Sequence, residues 1–217
     1  MIKQDKQIPY NWAEIVPFFF LWRMKEVNAL RGMDVYIIDQ LMKGKVTASS
    51  IILDAGCGAG RNIEYLIEQG NPVFGIDSNP DAIHGLRARH PTQKERFEVS
   101  SIEDYSSNQR FDFIICNAVL HFAENHAHFW KMFGALVDHL APNGTLFIRM
   151  TSNIGLNLNY SENGVSLLPD GSTRYLISRE QVTEMCNRFD VQLAEPVKTV
   201  KVEELRSMTT LVFTKEG

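Results

Sequence analysis

The chain has 217 residues, 44% of them hydrophobic and 22% charged, with a formal net charge of −4. That length suits one domain with a sizeable core, and the ordinary composition excludes a disordered or fibrous chain. The acidic balance and the lack of a basic run leave no electrostatic footprint for nucleic acid.

In chain order, the first feature is an aromatic-rich segment over 10–42. It holds Tyr10, Trp12, Phe18, Phe19, Phe20 and Trp22, then a helix-like run ending near Met42. Its longest apolar stretch, Ile15 to Trp22, is interrupted by Pro17. That is far short of the roughly 20 residues that span a bilayer. The opening residues, Met-Ile-Lys-Gln-Asp-Lys, lack the apolar core of a signal peptide. Residues 51–55 read as a strand buried on both faces, followed by glycines at 56, 58 and 60 and a helix over 61–69. A second strand, 72–76, ends on Asp77. Asn79-Pro80 then opens a helix over 80–89, with Pro80 suited to the first helical position. Strands over 95–99 and 111–116 follow. A helix over 126–140 is marked by Trp130, Phe133, Leu136, Val137 and Leu140 at helical spacing. The turn Pro142-Asn143-Gly144 leads into a fifth strand at 144–150. This alternation predicts βαβ units on a parallel sheet.

Beyond residue 150 the chain turns polar, with Pro169-Asp170-Gly171 as a turn signal. Ser178-Arg179-Glu180-Gln181 is a capping box that opens a helix to about Asn187. Two strands, 197–202 and 208–214, lie close enough in sequence to form an antiparallel hairpin. The three cysteines, Cys57, Cys116 and Cys186, have no regular spacing and read as reduced residues, which fits a cytoplasmic protein.

Strand, glycine-rich turn and helix aim backbone N–H groups at a ligand. The dinucleotide fingerprint needs its third glycine where this chain has Arg61, so the spacing is G-x-G-x-G. Asp77 stands roughly 20 residues beyond the turn, where a ribose-binding acid is expected. It could equally serve as the acid of a helix N-terminus, and the two roles can coexist.

With Asp54, Gly56, Gly58 and Gly60 matching acidic-x-Gly-x-Gly-x-Gly, and with Asp77 behind them, the chain resembles the class I S-adenosylmethionine (SAM)-dependent methyltransferases. The resemblance is strongest over 51–150. It implies an α/β, doubly wound, Rossmann-like fold: a mostly parallel seven-stranded sheet closed by a C-terminal antiparallel hairpin. It also implies SAM as cofactor. The methionine part would lie along Asp54, Ala55, Gly56, Cys57, Gly58, Gly60 and Asn62, and the ribose on Asp77 beside Ser78. Ser101 and Ile102 would bracket the adenine, although family members usually carry an acid at position 101. Asn117, Ala118 and Val119 correspond to the family's fourth motif beside the methionine part and the adenine.

The acceptor would enter over Asn117–His121, under a roof of residues 10–31 and 151–175. Arg23 and Arg31 are candidates for the cofactor's carboxylate, and Arg149 faces either the acceptor or a surface acid. His121 is the one plausible general base in this region, with a packing role as its alternative. His126 and His128 would point to different helix faces and no ligand spacing accompanies them, so no metal is expected. The amino-methyltransferase and cytosine-methylation signatures are absent. These features predict one domain, 1–217, divided into a helical cap (1–50), a cofactor-binding core (51–150) and an acceptor side (151–217). The expected activity is methyl transfer to a small molecule. A non-catalytic SAM-binding or scaffold protein, or a nicotinamide-dependent oxidoreductase, is the alternative. The branch, whether tellurite-resistance-like or ubiquinone-biosynthesis-like, and the oligomeric state are not legible.

Overall fold

The computed structural model describes residues 30–156 and 161–217. The aromatic run at 10–22 and Arg23 lie outside the described residues. Ten strands are described: β1 (Ile52–Ala55), β2 (Val73–Asp77), β3 (Phe97–Val99), β4 (Phe111–Asn117), β5 (Leu140–Ser152), β6 (Val165–Leu167), β7 (Thr173–Tyr175), β8 (Val191–Leu193), β9 (Lys198–Val202) and β10 (Arg206–Lys215). Five α-helices accompany them: α1 (Val35–Met42), α2 (Glu64–Glu68), α3 (Pro80–Arg89), α4 (His126–His139) and α5 (Arg179–Arg188).

The main sheet runs β3-β2-β1-β4-β5-β10, with β10 antiparallel to β5 and the inner pairs parallel. Along the far edge of β10, β9 pairs residues 206–210 and β8 pairs residues 213–215. Eight strands therefore occupy seven ranks, which is the expected seven-stranded sheet with its last rank split. The β9–β10 hairpin forms as the sequence predicts.

Alternation along each inner strand builds two cores. Ile52, Phe113, Ile115, Phe147 and Val212 face one side, where Ile37, Leu66, Ile83 and Leu86 from α1, α2 and α3 cover them. Leu53, Ile114, Cys116, Ile148, Leu211 and Phe213 face the other, against Phe129, Phe133, Leu136, Val182 and Met185 from α4 and α5. Each fully buried side chain of this size contributes roughly 1.5–3 kcal/mol.

The helix starts are set by side chains that satisfy orphan backbone donors. Asp34 caps α1, Asn79 caps α3 with Pro80 at its first position, and Asn125 caps α4. Ser178 and Gln181 complete the capping box of α5. Some boundaries depart from the sequence reading. The helix expected over 61–69 shrinks to Glu64–Glu68, because 61–63 are used by the turn. The third strand keeps only Phe97–Val99, since Pro91–Arg96 winds into a 3₁₀ turn. β5 begins at Leu140 and absorbs Pro142-Asn143-Gly144 through an irregularity opposite Phe111–Phe113. The polar stretch after 150 contains the short β6–β7 hairpin, which periodicity did not reveal. Among the described residues no helix is long and apolar enough to cross a membrane.

Candidate active site

The carboxyl ends of β1, β2 and β4 converge, as is usual for ligand sites on open α/β sheets. β1 ends on Asp54 and Ala55, both buried, and the chain reverses through Gly56 (φ 85°) and Gly58 (φ 50°). The N–H groups of Gly56 and Cys57 both donate to the Ile76 carbonyl, at 2.8 and 2.9 Å, which fastens the turn to β2. A Cβ on Gly56 would stand 2.2 Å from Val119 Cγ2, so only glycine fits there. Among the described residues, nothing lies within 4 Å of a Cβ placed on Gly58. Gly60 lies away from that opening, against Leu86 of α3.

Asp77 Oδ2 accepts the Gly58 N–H at 2.8 Å, and its Oδ1 accepts the Asn79 N–H, also at 2.8 Å. Asp77 thus leads into α3, which is the helix-start role, and it also fastens the glycine turn. A cavity of about 350 Å³ opens here. Of the expected cofactor residues it is lined by Gly56, Asp77, Ser78, Ser101, Ile102, Asn117, Ala118 and Val119.

The other expected residues stand behind this wall. Cys57 is buried beside Gly75 and Phe97. Asn62 accepts the Asp34 N–H at 3.1 Å, which ties the glycine turn to the start of α1. Asp54 is buried with Oδ2 unpartnered among the described residues, and burial pushes its carboxyl up to about 7. Ser101 Oγ donates to Asp104 at 2.9 Å while lining the cavity. Arg31 is exposed.

Five lining residues were missed in the sequence: Ser100, Glu103, Phe122, His128 and Met132. Glu103 and His128, paired at 3.1 Å, close one side, and Met132 stands near them. Twenty-five positions separate the pair, so no local pattern could have joined it. His126 bonds Tyr175 Oη at 2.7 Å instead. Among the described residues no group of three or more His, Cys, Asp or Glu side chains is arranged to hold a metal.

A second cavity, of about 450 Å³, adjoins the first at Ala118. Ala118 has φ 63°, a left-handed conformation uncommon for a residue with a Cβ, and its N–H is fixed to the Arg149 carbonyl at 2.7 Å. His121, absent from the first cavity, lines the second, as do Arg149, Arg174 and Arg206. The segment after residue 150 contributes to this wall through Thr151, Leu168 and Asp170. His121 is 7% exposed and packs edge-on against Phe122. Burial, helped by Arg174 and Arg206, lowers its pKa to about 4, so the imidazole is neutral at pH 7. Arg149 lines the cavity and pairs at 3.3 Å with Asp34, whose side chain is largely buried rather than at the surface.

The donor set suits a SAM-like group. The Asp77 carboxylate at the cavity, and the buried acceptors Asp54 Oδ2 and Asn117 Oδ1, which have no partner among the described residues, match a ligand with hydroxyls and cationic centres.

Sheet order, glycine turn and strand-end acid together define a Rossmann-like methyltransferase fold. A methyltransferase domain family matches residues 52–144. A trans-aconitate 2-methyltransferase of Rhizobium meliloti (strain 1021) is 32% identical over 103 residues, covering 46% of this chain and 38% of that protein. A ubiquinone biosynthesis O-methyltransferase of Rickettsia felis is 28% identical over 203 residues, covering 89% of this chain and 80% of that protein. The fold is shared with a SAM-dependent methyltransferase from Clostridium acetobutylicum, at TM-score 0.66 and 17% identity over 84% of this chain and 90% of that one. Residues 52–144 thus match a methyltransferase domain family, and the chain shares the fold of SAM-dependent methyltransferases.

Proposed function

We propose that this chain methylates a small-molecule acceptor held in the second cavity, with SAM in the first. One observation carries the reading: the two cavities share one lining residue, Ala118. A donor and an acceptor seated on its two sides are brought together without a diffusional search, and such positioning can contribute several kcal/mol.

Bound SAM would supply a methyl on positively charged sulfur; the acceptor's lone pair takes it, and the S–C electron pair stays on sulfur to give S-adenosylhomocysteine (SAH). The protein's part is to bind and orient. Asp77 and Ser78 are assigned to the ribose, Ile102 and Val119 to the adenine faces, and Asp54 with the Gly56–Gly58 turn to the methionine end. Asp34 organises the boundary by accepting from Asn117 Nδ2 and pairing with Arg149, each at 3.3 Å. His121 stays neutral and can accept a hydrogen bond from the acceptor, though a pKa of about 4 makes it a weak proton base.

The relatives' names support a small-molecule acceptor: one acts on trans-aconitate, the other in ubiquinone biosynthesis. The net charge of −4 disfavours nucleic acid. We read 1–217 as a single methyltransferase domain. The three free cysteines, two of them buried, support a reducing cytoplasmic setting.

The test is turnover with methyl-labelled SAM and a panel of small acids, phenols and amines. Label in the acceptor together with SAH formation supports the proposal. Tight SAH binding with no transfer to any member would favour the non-catalytic SAM-binding reading.

A further inference from the structure

The second cavity carries a charge opposite to that of the molecule. The chain is acidic overall, yet Arg149, Arg174 and Arg206 line one space whose single acid among the described lining residues is Asp170. The three arginines come from β5, β7 and β10, so the fold gathers them from distant sequence.

Their charges are only partly answered from within. Arg206 Nη1 stands 3.8 Å from Asp170 Oδ2, beyond hydrogen-bond reach. Asp170 Oδ1 instead accepts from the Ser172 N–H and hydroxyl at 2.9 and 2.6 Å. Arg174 lies over the Phe122 ring at 4.8 Å and donates to the Thr173 carbonyl at 2.7 Å. Arg149 meets Asp34 at 3.3 Å but keeps a buried Nε with no partner among the described residues. A buried guanidinium N–H without an acceptor is costly, and the guanidinium fork matches a carboxylate in both spacing and charge. Leu168, Val202 and Met208 complete the walls, which suits an organic body better than a bare ion.

We propose that the methyl acceptor is a small carboxylate, anchored by Arg174 and Arg206 with Arg149 behind them, its acceptor atom turned toward Ala118. This rests on the methyltransferase reading above and names the class of its acceptor. An anchored carboxylate also offsets the two positive charges that add to burial in lowering the His121 pKa, so acceptor binding draws the imidazole toward a higher pKa.

The full-length protein, saturated with SAH, is titrated by calorimetry at constant ionic strength. The probes are benzoate, succinate and citrate, the amides benzamide and succinamide, and inorganic phosphate. At least one carboxylate binds, its amide binds at least about tenfold more weakly, and R174Q and R206Q each weaken the carboxylate by about tenfold, ~1.4 kcal/mol. SAH affinity is unchanged in both variants, which shows that they are folded. The proposal is overturned if no carboxylate binds, if the amides bind as well, if both variants keep full affinity, or if phosphate outcompetes every carboxylate and so marks a phosphate-ester site. Failure of SAH itself to bind would instead overturn the methyltransferase reading.

Discussion

The carboxylate of Asp77, at the end of β2, accepts the backbone N–H of Gly58 at 2.8 Å. The acid and the glycine turn are therefore one unit: a strand-end side chain sets the shape of a loop from the neighbouring strand. Bonds of this charge-assisted kind contribute roughly 1.5–3 kcal/mol. They also hold one carboxylate oxygen in place at the cavity edge.

The two glycines of that turn separate stability from binding. Gly56→Ala drives a methyl to 2.2 Å from Val119 Cγ2 at a φ of 85°, so stability falls by about 2–4 kcal/mol. Gly58→Ala meets no atom of the described residues within 4 Å and costs only the backbone term, about 1–2 kcal/mol. The Gly58 N–H is bonded to the cavity-lining Asp77, so the strained turn disturbs that carboxylate and SAH affinity drops more than stability does. Urea unfolding and SAH titration of both variants check the contrast.

Two buried groups oppose each other in pH dependence. Burial raises Asp54 from 3.8 to about 7, so its folded state holds the proton longer and stability falls as pH rises through that window. Burial lowers His121 from 6.5 to about 4, so its stability contribution is full above pH 6.5 and is lost on acidification toward 4. Each effect has a ceiling of about 3–4 kcal/mol. Relative to the parent, Asp54→Asn gains stability as pH rises from 4 to 7, and His121→Gln gains as pH falls from 6.5 to 4. Unfolding at four pH values should give difference curves of opposite slope; parallel curves would contradict the assignment.

Asp34 joins three elements, so Asp34→Ala has two effects. It removes the cap of α1, where the side chain accepts the Tyr36 N–H at 3.0 Å, at a cost of about 0.5–2 kcal/mol. It also leaves the Arg149 guanidinium, 5.3 Å from the Tyr36 ring centre, without its acid and frees Asn117. Turnover falls further than the stability loss explains; thermal unfolding and turnover on one preparation separate the two.

What was legible in the sequence was what local pattern encodes. The apolar runs of β1, β2 and β4, the spacing from Gly56 to Asp77, and the capping box at Ser178 each sit within one element or one βα unit. The residues missed meet only in three dimensions. Glu103 pairs with His128 at the cavity wall, and Arg149, Arg174 and Arg206 line one space from β5, β7 and β10. His121 was legible as a residue of interest, but the burial that keeps it neutral, and the smaller push from Arg174 and Arg206, arise only in the folded chain. Asn62 sits at the expected place in the motif, yet its side chain is engaged with the backbone of Asp34.

The most direct test is a calorimetric titration of the full-length protein with SAH, with NAD as the competitor reading and Asp77→Ala as the control. The account predicts saturable SAH binding, no NAD binding, and at least about a tenfold loss of SAH affinity in Asp77→Ala, ~1.4 kcal/mol or more. Binding of NAD without SAH, or full SAH affinity in the variant, would contradict the assignment of the Gly56–Asp77 cavity.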